Sequence, residues 1–258
     1  MIAILHSRAL LSVLTALLLA LGMGPAAAEG DIGKTVAIKN EVTATLSDSP
    51  RKLAKGDVIH QNELISTTAE SEGEFVLADD TKLAVGPNSK LALDAFIYDP
   101  AKKSGGQVVI NASQGAFRFI SGKSQKSAYQ IKTPVASIGV RGTIFDGYVN
   151  DDGEIALLLV QGEVDVCGQP GSCRRLRQIG SFFHIRQGGI ISGPLKWDGT
   201  FLPAVAFGSA FPFIDRSLTI DPVRRFRRAD LLGGRLLPQR VVPVRPLQRV
   251  VPRLPRPF

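Results

Sequence analysis

The stretch IKTPVASIGVRGTIF, residues 131–145, contains the residues that decide how this chain folds. Pro134 cannot donate a backbone hydrogen bond, Gly139 and Gly142 add backbone freedom, and β-branched residues stand between them. This pattern predicts short extended segments separated by fixed bends, so we expect a strand, a corner and a second strand here. The stretch shows no catalytic motif.

Alternating apolar and polar residues surround this stretch on both sides. Residues 34–46 alternate as a half-buried strand does, and residues 71–85 predict a hairpin with Asp79 and Asp80 at its turn. Downstream, residues 155–160 are apolar on both faces, which is typical of a central buried strand, and Gly162 predicts the tip of a hairpin. The expected fold class is therefore all-β, with many short strands in a β-sandwich or a solenoid-like stack.

The first 28 residues have the pattern of a secretory signal peptide. A weakly basic start precedes an apolar run of about 13 residues, and an A-x-A cleavage site ends at Ala28. That run is shorter than the roughly 20 residues that a membrane-spanning helix needs. We therefore expect a periplasmic or secreted protein, cleaved near Ala28, with no transmembrane span after cleavage.

The positive charge of the chain is concentrated at its C-terminus. Residues 216–258 contain eleven Arg and two Asp, an excess that is larger than the net charge of +8 of the whole chain. Five prolines exclude a regular helix over residues 241–258, whereas residues 224–232 have the pattern of one short basic amphipathic turn. We expect residues 194–258 to be a Pro/Arg-rich, largely disordered tail after an all-β domain over residues 29–193. The tail would bind an anionic envelope surface or remain solvated, and we expect no nucleic-acid binding because base-stacking aromatic residues are few.

Cys167 and Cys173 are the two cysteines of the chain, and five residues separate them. In an oxidising compartment such a pair is expected to form a disulfide that closes a small loop. Two unlinked thiols are the alternative. A metal site would require further ligands, and no His lies near the pair in the sequence.

No residue pattern indicates enzymatic chemistry, a cofactor or a metal. Gly122-Lys123-Ser124 resembles the end of a phosphate-binding loop, but the glycine that this motif needs five positions earlier is Phe117. His184 lies in an apolar run, where a hydrogen-bonded strand histidine is the simplest interpretation. The acidic pairs at residues 79–80 and 151–152 fit turns better than calcium sites.

An ordered series of motifs spans roughly residues 33–189. It comprises Gly56-Asp57, Gly86-Pro87, Thr133-Pro134, Arg141-Gly142-Thr143 and Gly162. Taken together, these motifs resemble the FecR-type periplasmic domain. The resemblance implies an all-β module without catalytic activity that receives a signal through protein contact. In signalling members, a membrane helix and a cytoplasmic segment then pass that signal to a sigma factor.

The sequence thus predicts a non-enzymatic, exported protein of the cell envelope that acts through contacts with an envelope protein. The alternative is a periplasmic component of sigma/anti-sigma signalling that an uncleaved N-terminal anchor retains. Arg141 is expected either to contact a partner at the surface or to be a buried anchor. Apolar neighbours favour the buried anchor, in which the guanidinium would bind corner carbonyls and an acid such as Asp146.

Overall fold

The computed structural model describes residues 30–99, 104–140, 142–168, 171–200, 202–223 and 225–232. Within these ranges the chain forms strands, two one-turn α-helices and two one-turn 3₁₀ helices. The α-helices are α1 (Phe207–Ala210) and α2 (Arg228–Leu231), and the 3₁₀ helices are Lys126–Ala128 and Gln187–Gly189. The strands are β1 (Asp31–Lys39), β2 (Val42–Leu46), β3 (Ser49–Lys52), β4 (Val58–His60), β5 (Leu64–Thr67), β6 (Glu72–Leu77), β7 (Lys82–Val85), β8 (Lys90–Asp99), β9 (Ser104–Ile120), β10 (Tyr129–Lys132), β11 (Ala136–Val140), β12 (Ile144–Val149), β13 (Ile155–Gln161), β14 (Val164–Gly168), β15 (Cys173–Leu176), β16 (Phe182–Arg186) and β17 (Ile190–Leu195).

The strands form two sheets that share β9. The front sheet has the order β4-β1-β6-β7-β9-β12-β13-β16-β17. The back sheet has the order β3-β2-β5-β8-β9-β10-β11-β14-β15. The first part of β9 pairs in the back sheet, and its last part pairs in the front sheet. All of these pairings are antiparallel except that between β9 and β10.

The main core lies between the two sheets. Along each strand, alternate side chains point inward because successive residues of a strand face opposite sides. Phe117 and Phe119 of β9 face Phe145 of β12 at ring-centroid distances of 5.9 and 5.6 Å. These rings join aliphatic side chains from both sheets in one buried cluster. The two-sheet core confirms the predicted all-β fold class.

The chain crosses repeatedly between the sheets and advances along both in the same direction. β2 and β3 lie in the back sheet, β6 and β7 in the front sheet, β10 and β11 in the back sheet, and β12 and β13 in the front sheet. The architecture therefore combines the two alternatives drawn from the sequence, because it is a sandwich whose strands progress as in a solenoid.

The described residues of 196–232, which we call the C-terminal segment, pack on the outer face of the front sheet. Trp197, Phe207 and Phe211 form an aromatic cluster with Phe182 of β16, and this cluster also contains the outward side chains of β13. Further along, Phe213 lies in a smaller cluster with Leu218 and Ile220 on the outward alanines of β7 and β9. This cover explains why β13 is apolar on both faces.

Two expectations require correction. Gly162 is not the tip of a hairpin, because β13 pairs with β12 and β16 in the front sheet whereas β14 pairs with β11 and β15 in the back sheet. The expected disordered tail does not begin at residue 194, because buried side chains such as Phe211 and Leu231, 2% and 0% exposed, fix the C-terminal segment on the sheet.

Three predicted features lie outside the described residues. These are the signal peptide at residues 1–28, the end of the basic tail at residues 233–258, and Arg141. Within the described ranges, no helix is long and apolar enough to cross a membrane.

Candidate interaction surfaces

The motif residues Gly142, Thr143 and Gly162 meet at one corner between the sheets. Gly142 and Gly162 have positive φ angles of 68° and 80°, which favour glycine. A Cβ atom on Gly162 would lie 2.4 Å from the Gly142 carbonyl oxygen, so the two chain segments approach too closely for a side chain. The Thr143 hydroxyl donates to the Glu163 carbonyl at 2.6 Å. This part of the motif therefore joins the two corners that follow β11 and β13.

The other motif residues lie at separate turns. The Asp57 carboxylate accepts a hydrogen bond from the Ala54 amide at 2.8 Å and closes the turn that contains Gly56. The Gly86 carbonyl accepts from the Thr67 hydroxyl at 2.6 Å. The Thr133 hydroxyl donates to the Ala136 carbonyl at 2.7 Å across the β10–β11 turn that contains Pro134. The structure thus distributes these residues over several turns and does not bring them together as one site.

The sequence interpretation missed a buried ion pair beneath the C-terminal segment. The Arg118 guanidinium donates to both carboxylate oxygens of Asp146, at 2.6 and 2.8 Å, and these side chains are 4% and 1% exposed. Asp221 lies 3.8 Å from the same guanidinium. Burial disfavours the charged form of Arg118, but the charge and hydrogen bonds of Asp146 outweigh this effect and the pKa of Arg118 is raised. Asp146, expected as a partner for Arg141, is thus bound by Arg118.

Three further charged groups extend this ion pair across the front sheet. Glu74, Arg118 and Asp146 lie in one cross-strand row, because Glu74 and Arg118 both face Ala84 and Arg118 faces Asp146. Glu72 and Lys82 flank this row. We call Glu72, Glu74, Lys82, Arg118 and Asp146 the charged row. Charged outward residues between inward aromatics, as in Phe117-Arg118-Phe119, were the sequence signal for it.

A second buried polar network closes the Gly122-Lys123-Ser124 loop. The buried Asp79 carboxylate accepts from the Ser124 hydroxyl at 2.6 Å and from the Tyr129 hydroxyl at 2.8 Å. Burial is the main cause that raises the pKa of Tyr129 to about 12. This loop is therefore a structural junction between β7, β9 and β10, in agreement with the rejection of a phosphate-binding loop.

The outer face of the back sheet has a different composition. Asn111, Gln130, Lys132, Ser137 and Asp165 point outward from β9, β10, β11 and β14, and we call this surface the open face. Two shallow depressions of about 610 and 440 Å³ lie on it, and both include Gln130 and Ser137 in their walls. No cluster of buried hydrophobic side chains from the C-terminal segment lies on this face in the part of the chain that the structure describes.

The predicted disulfide forms one border of the open face. Cys167 of β14 and Cys173 of β15 stand opposite each other in adjacent strands and are linked, with an S–S distance of 2.03 Å. Beside them, the Arg175 guanidinium binds the Asp165 carboxylate, and this hydrogen bond raises the pKa of Arg175. The disulfide links the edge strand β15 covalently to the rest of the back sheet.

The remaining titratable residues considered from the sequence make contacts with other side chains of the fold. His184 is 5% exposed, and its Nε2 lies 3.1 Å from Glu154 Oε2. His60 is half-buried, with Nδ1 3.1 Å from the buried Glu63 carboxylate. Asp151 lies in a turn and accepts from the Gln114 amide at 3.1 Å. Among the described residues, no group of three or more His, Cys, Asp or Glu side chains is placed to hold a metal ion.

Comparison with known proteins gives one family match. Residues 63–165 match the family described as FecR protein. Two crystal structures of a "putative anti-sigma factor" from Parabacteroides distasonis ATCC 8503 are similar to the chain at 17% identity and a TM-score of 0.39. Each alignment covers 50% of this chain and 57% of the other, so the chain spans little more than half of their length. No curated protein matches the chain.

The matched residues begin just before β5 and end within β14. They contain the shared strand β9, the stretch 131–145 and the corner formed by Gly142 and Gly162. They also carry most of the open face and all of the charged row. Residues 63–165 of this chain are therefore a FecR domain.

Proposed function

We propose that this chain is an exported, non-enzymatic protein of the bacterial cell envelope that acts through protein–protein contacts of its FecR domain. The family match supports the coarser statement that the domain is a regulatory module without enzymatic activity. The observation that carries the proposal is the contrast between the outer faces of the two sheets. The C-terminal segment covers the front sheet, whereas the open face carries exposed and half-buried polar side chains and two depressions.

The open face has the features of a contact surface for a folded partner. Its outward groups include amides, a hydroxyl, a lysine and an aspartate, which provide both donors and acceptors. The Gln130 amide donates to the Ser137 hydroxyl at 2.9 Å, so these polar groups already have defined positions. The rigid sheet beneath them reduces the ordering cost of association. Thr133 and Pro134 of the family motif form part of the larger depression.

The disulfide supports the export part of the proposal. Disulfides persist in oxidising compartments such as the bacterial periplasm and are rare in the cytosol. The link between Cys167 and Cys173 agrees with the signal peptide expected at residues 1–28. The expected attachment of the basic tail to an anionic envelope surface stays a separate part of this proposal.

The alternative function is a periplasmic component of sigma/anti-sigma signalling, held in the membrane by an uncleaved N-terminal anchor. The FecR match supports this alternative as well. Mass determination of the N-terminus of the protein purified from cells separates the two functions. Cleavage near Ala28 agrees with the exported protein, and a retained Met1 supports the anchored signalling component.

Capture from envelope extracts tests the protein-contact function. The tagged full chain should retain the same envelope protein repeatedly, and a Ser137→Arg variant should lose it because the new side chain fills the open face. Lys55→Glu is the matched control, since Lys55 is exposed in a turn before β4, away from the open face. Equal capture by the wild-type and Ser137→Arg chains would reject the open face as the contact surface.

A further inference from the structure

Residues 213–221, which we call the docked segment, bind the charged row through side chains of the sheet. The Glu74 carboxylate accepts a hydrogen bond from the Ile220 amide at 2.8 Å. The Lys82 ammonium donates to the Ile220 carbonyl at 3.0 Å. The charged row therefore binds both the N–H and the carbonyl of one residue of the docked segment. Any residue except proline could make this backbone contact.

Charge complementarity selects the residues on either side of Ile220. The Arg216 guanidinium binds the Glu72 carboxylate, and the Asp221 carboxylate faces Arg118 at 3.8 Å. Arg216 and Asp221, five residues apart, thus contact a carboxylate and a guanidinium group of the sheet. Phe213 adds an apolar anchor, 1% exposed, whose ring lies 5.8 Å from the Arg118 guanidinium. Together these contacts define which side chains an extended peptide needs in order to bind the charged row.

The docked segment is bound without becoming part of either sheet. Each strand of the front sheet pairs with other strands, and none pairs with residues 213–221. Removal of the segment would therefore leave the inter-strand hydrogen bonds intact. Its two flanks are held independently, because Phe211 and Leu231 lie in the aromatic cluster beside β13 and β16. Ile214 of the segment also lies in that cluster, so local opening would release the residues that follow Ile214 while both flanks stay packed.

The docked segment also leaves one buried donor unsatisfied. Among the described residues, the buried Arg216 Nε has no hydrogen-bond acceptor, although the same guanidinium contacts Glu72. Buried donors without acceptors are costly, since they have lost water without gaining a partner. The charged row therefore supplies no acceptor for the Arg216 Nε, and an occupant with an acceptor beside it would pair this donor.

We propose that the charged row is a peptide-binding site, occupied by residues 213–221 in the free protein and by an extended segment of a partner protein in the complex. The partner segment carries an arginine and an aspartate five residues apart, with an apolar residue before the arginine. This proposal rests on the proposed function, because it specifies one way in which the FecR domain contacts a protein. The internal segment then competes with the partner for the same site.

A labelled peptide with the sequence FPFIDRSLTIDPV, residues 211–223, serves as the probe for full-length chains. The apparent Kd equals the intrinsic Kd divided by the fraction of open molecules, so weakening of the internal segment must tighten peptide binding. We expect binding at least about fivefold tighter to the Asp221→Asn chain than to the wild-type chain. Arg216→Gln is the second variant, because Arg216 is partly exposed and its substitution tests the other charged contact.

Three controls make the result specific. Arg177→Gln removes an exposed ion pair with Glu163, which involves no residue of the docked segment or the charged row, and should leave peptide affinity unchanged. A peptide that itself carries Asp221→Asn should bind at least about fivefold more weakly, because it lacks the group that faces Arg118. Hydrogen exchange of the Asp221→Asn chain should speed up at residues 213–223 when peptide is added, and stay slow in β12 and β13.

Two results would overturn the proposal. One is the absence of peptide binding to either weakened variant while hydrogen exchange shows that residues 213–223 have opened. The other is a doubled mass of those variants in sedimentation, which would make a second copy the occupant. Neither result affects capture through Ser137, so a failure here is distinguishable from a failure of the proposed function.

Discussion

Substitution of Asp146 by Asn tests the buried ion pair that joins β9 and β12 beneath the C-terminal segment. Asn keeps the size of the side chain but removes its charge, and its amide group would point a donor at another donor. Arg118 is 4% exposed, so water cannot replace the lost carboxylate. Asp221, at 3.8 Å, remains as the neighbouring acid.

The size of the effect follows from these contacts. Loss of one partner from a buried pair costs about 3 to 5 kcal/mol, because an uncompensated charge stays buried. Asp221 retains part of the compensation, so we expect a loss near the lower limit, about 3 kcal/mol. The exposed pair of Arg228 with Asp215 should contribute less than about 1 kcal/mol.

Urea unfolding of the full chain measures this difference. Asp146→Asn should lower the transition midpoint with an unchanged slope, and Asp215→Asn is the matched control for loss of a carboxylate at an exposed pair. Replacement of both Arg118 and Asp146 by Leu should lower the free energy of unfolding by less than the sum of the two single Leu substitutions. A cost below about 1 kcal/mol for Asp146→Asn, equal to the control, would refute the buried pair.

Three further predictions concern other parts of the fold. Gly162→Ala should destabilise the protein by about 2 kcal/mol in urea unfolding, because its φ is positive and its Cβ would clash with the facing corner carbonyl. Gly188 also has a positive φ, but a Cβ there would contact nothing. An equal cost for Gly188→Ala would therefore show that the clash does not contribute. Because the pKa of Tyr129 is raised to about 12, its contribution to stability should be complete below about pH 10 and lost as the pH rises towards 12; ultraviolet titration in which every tyrosine ionises near pH 10 would contradict this. A chain that ends after Ser217 should melt more than about 5 °C below one that ends after Leu232, because the buried apolar side chains of Leu218, Ile220 and Leu231 are lost. Equal melting temperatures would mean that this part of the C-terminal segment does not stabilise the sheet.

Alternation of side chains was sufficient to predict the all-β class and the main strands. The apolar stretch 155–160 is a central strand with both faces buried, as its sequence indicates. The covering segment could not be predicted from this pattern, because its proline-interrupted sequence shows neither helical nor strand periodicity. Its burial depends on Trp197 and Phe211 finding the outer face of β13 and β16, a contact between distant parts of the chain.

The corner at Gly162 shows a second limit of sequence interpretation. A glycine with positive φ between two apolar strands fits a hairpin turn and a sheet-to-sheet corner equally well. Strand partners distinguish the two, and these depend on the long-range pairing of β13 with β16 and of β14 with β11. The charged row could not be predicted for the same reason. Glu74, Arg118 and Asp146 become neighbours only through the register of four strands.

Site-specific photo-cross-linking in the producing cells tests most directly whether the FecR domain acts through protein contact at its open face. p-Benzoylphenylalanine would replace Ser137 or Gln130 on the open face, and Lys55 as the exposed control. We predict that both open-face positions cross-link to the same envelope protein and that the control position does not. Cross-links of equal yield at all three positions, or at none of them, would contradict a protein-contact function for this surface.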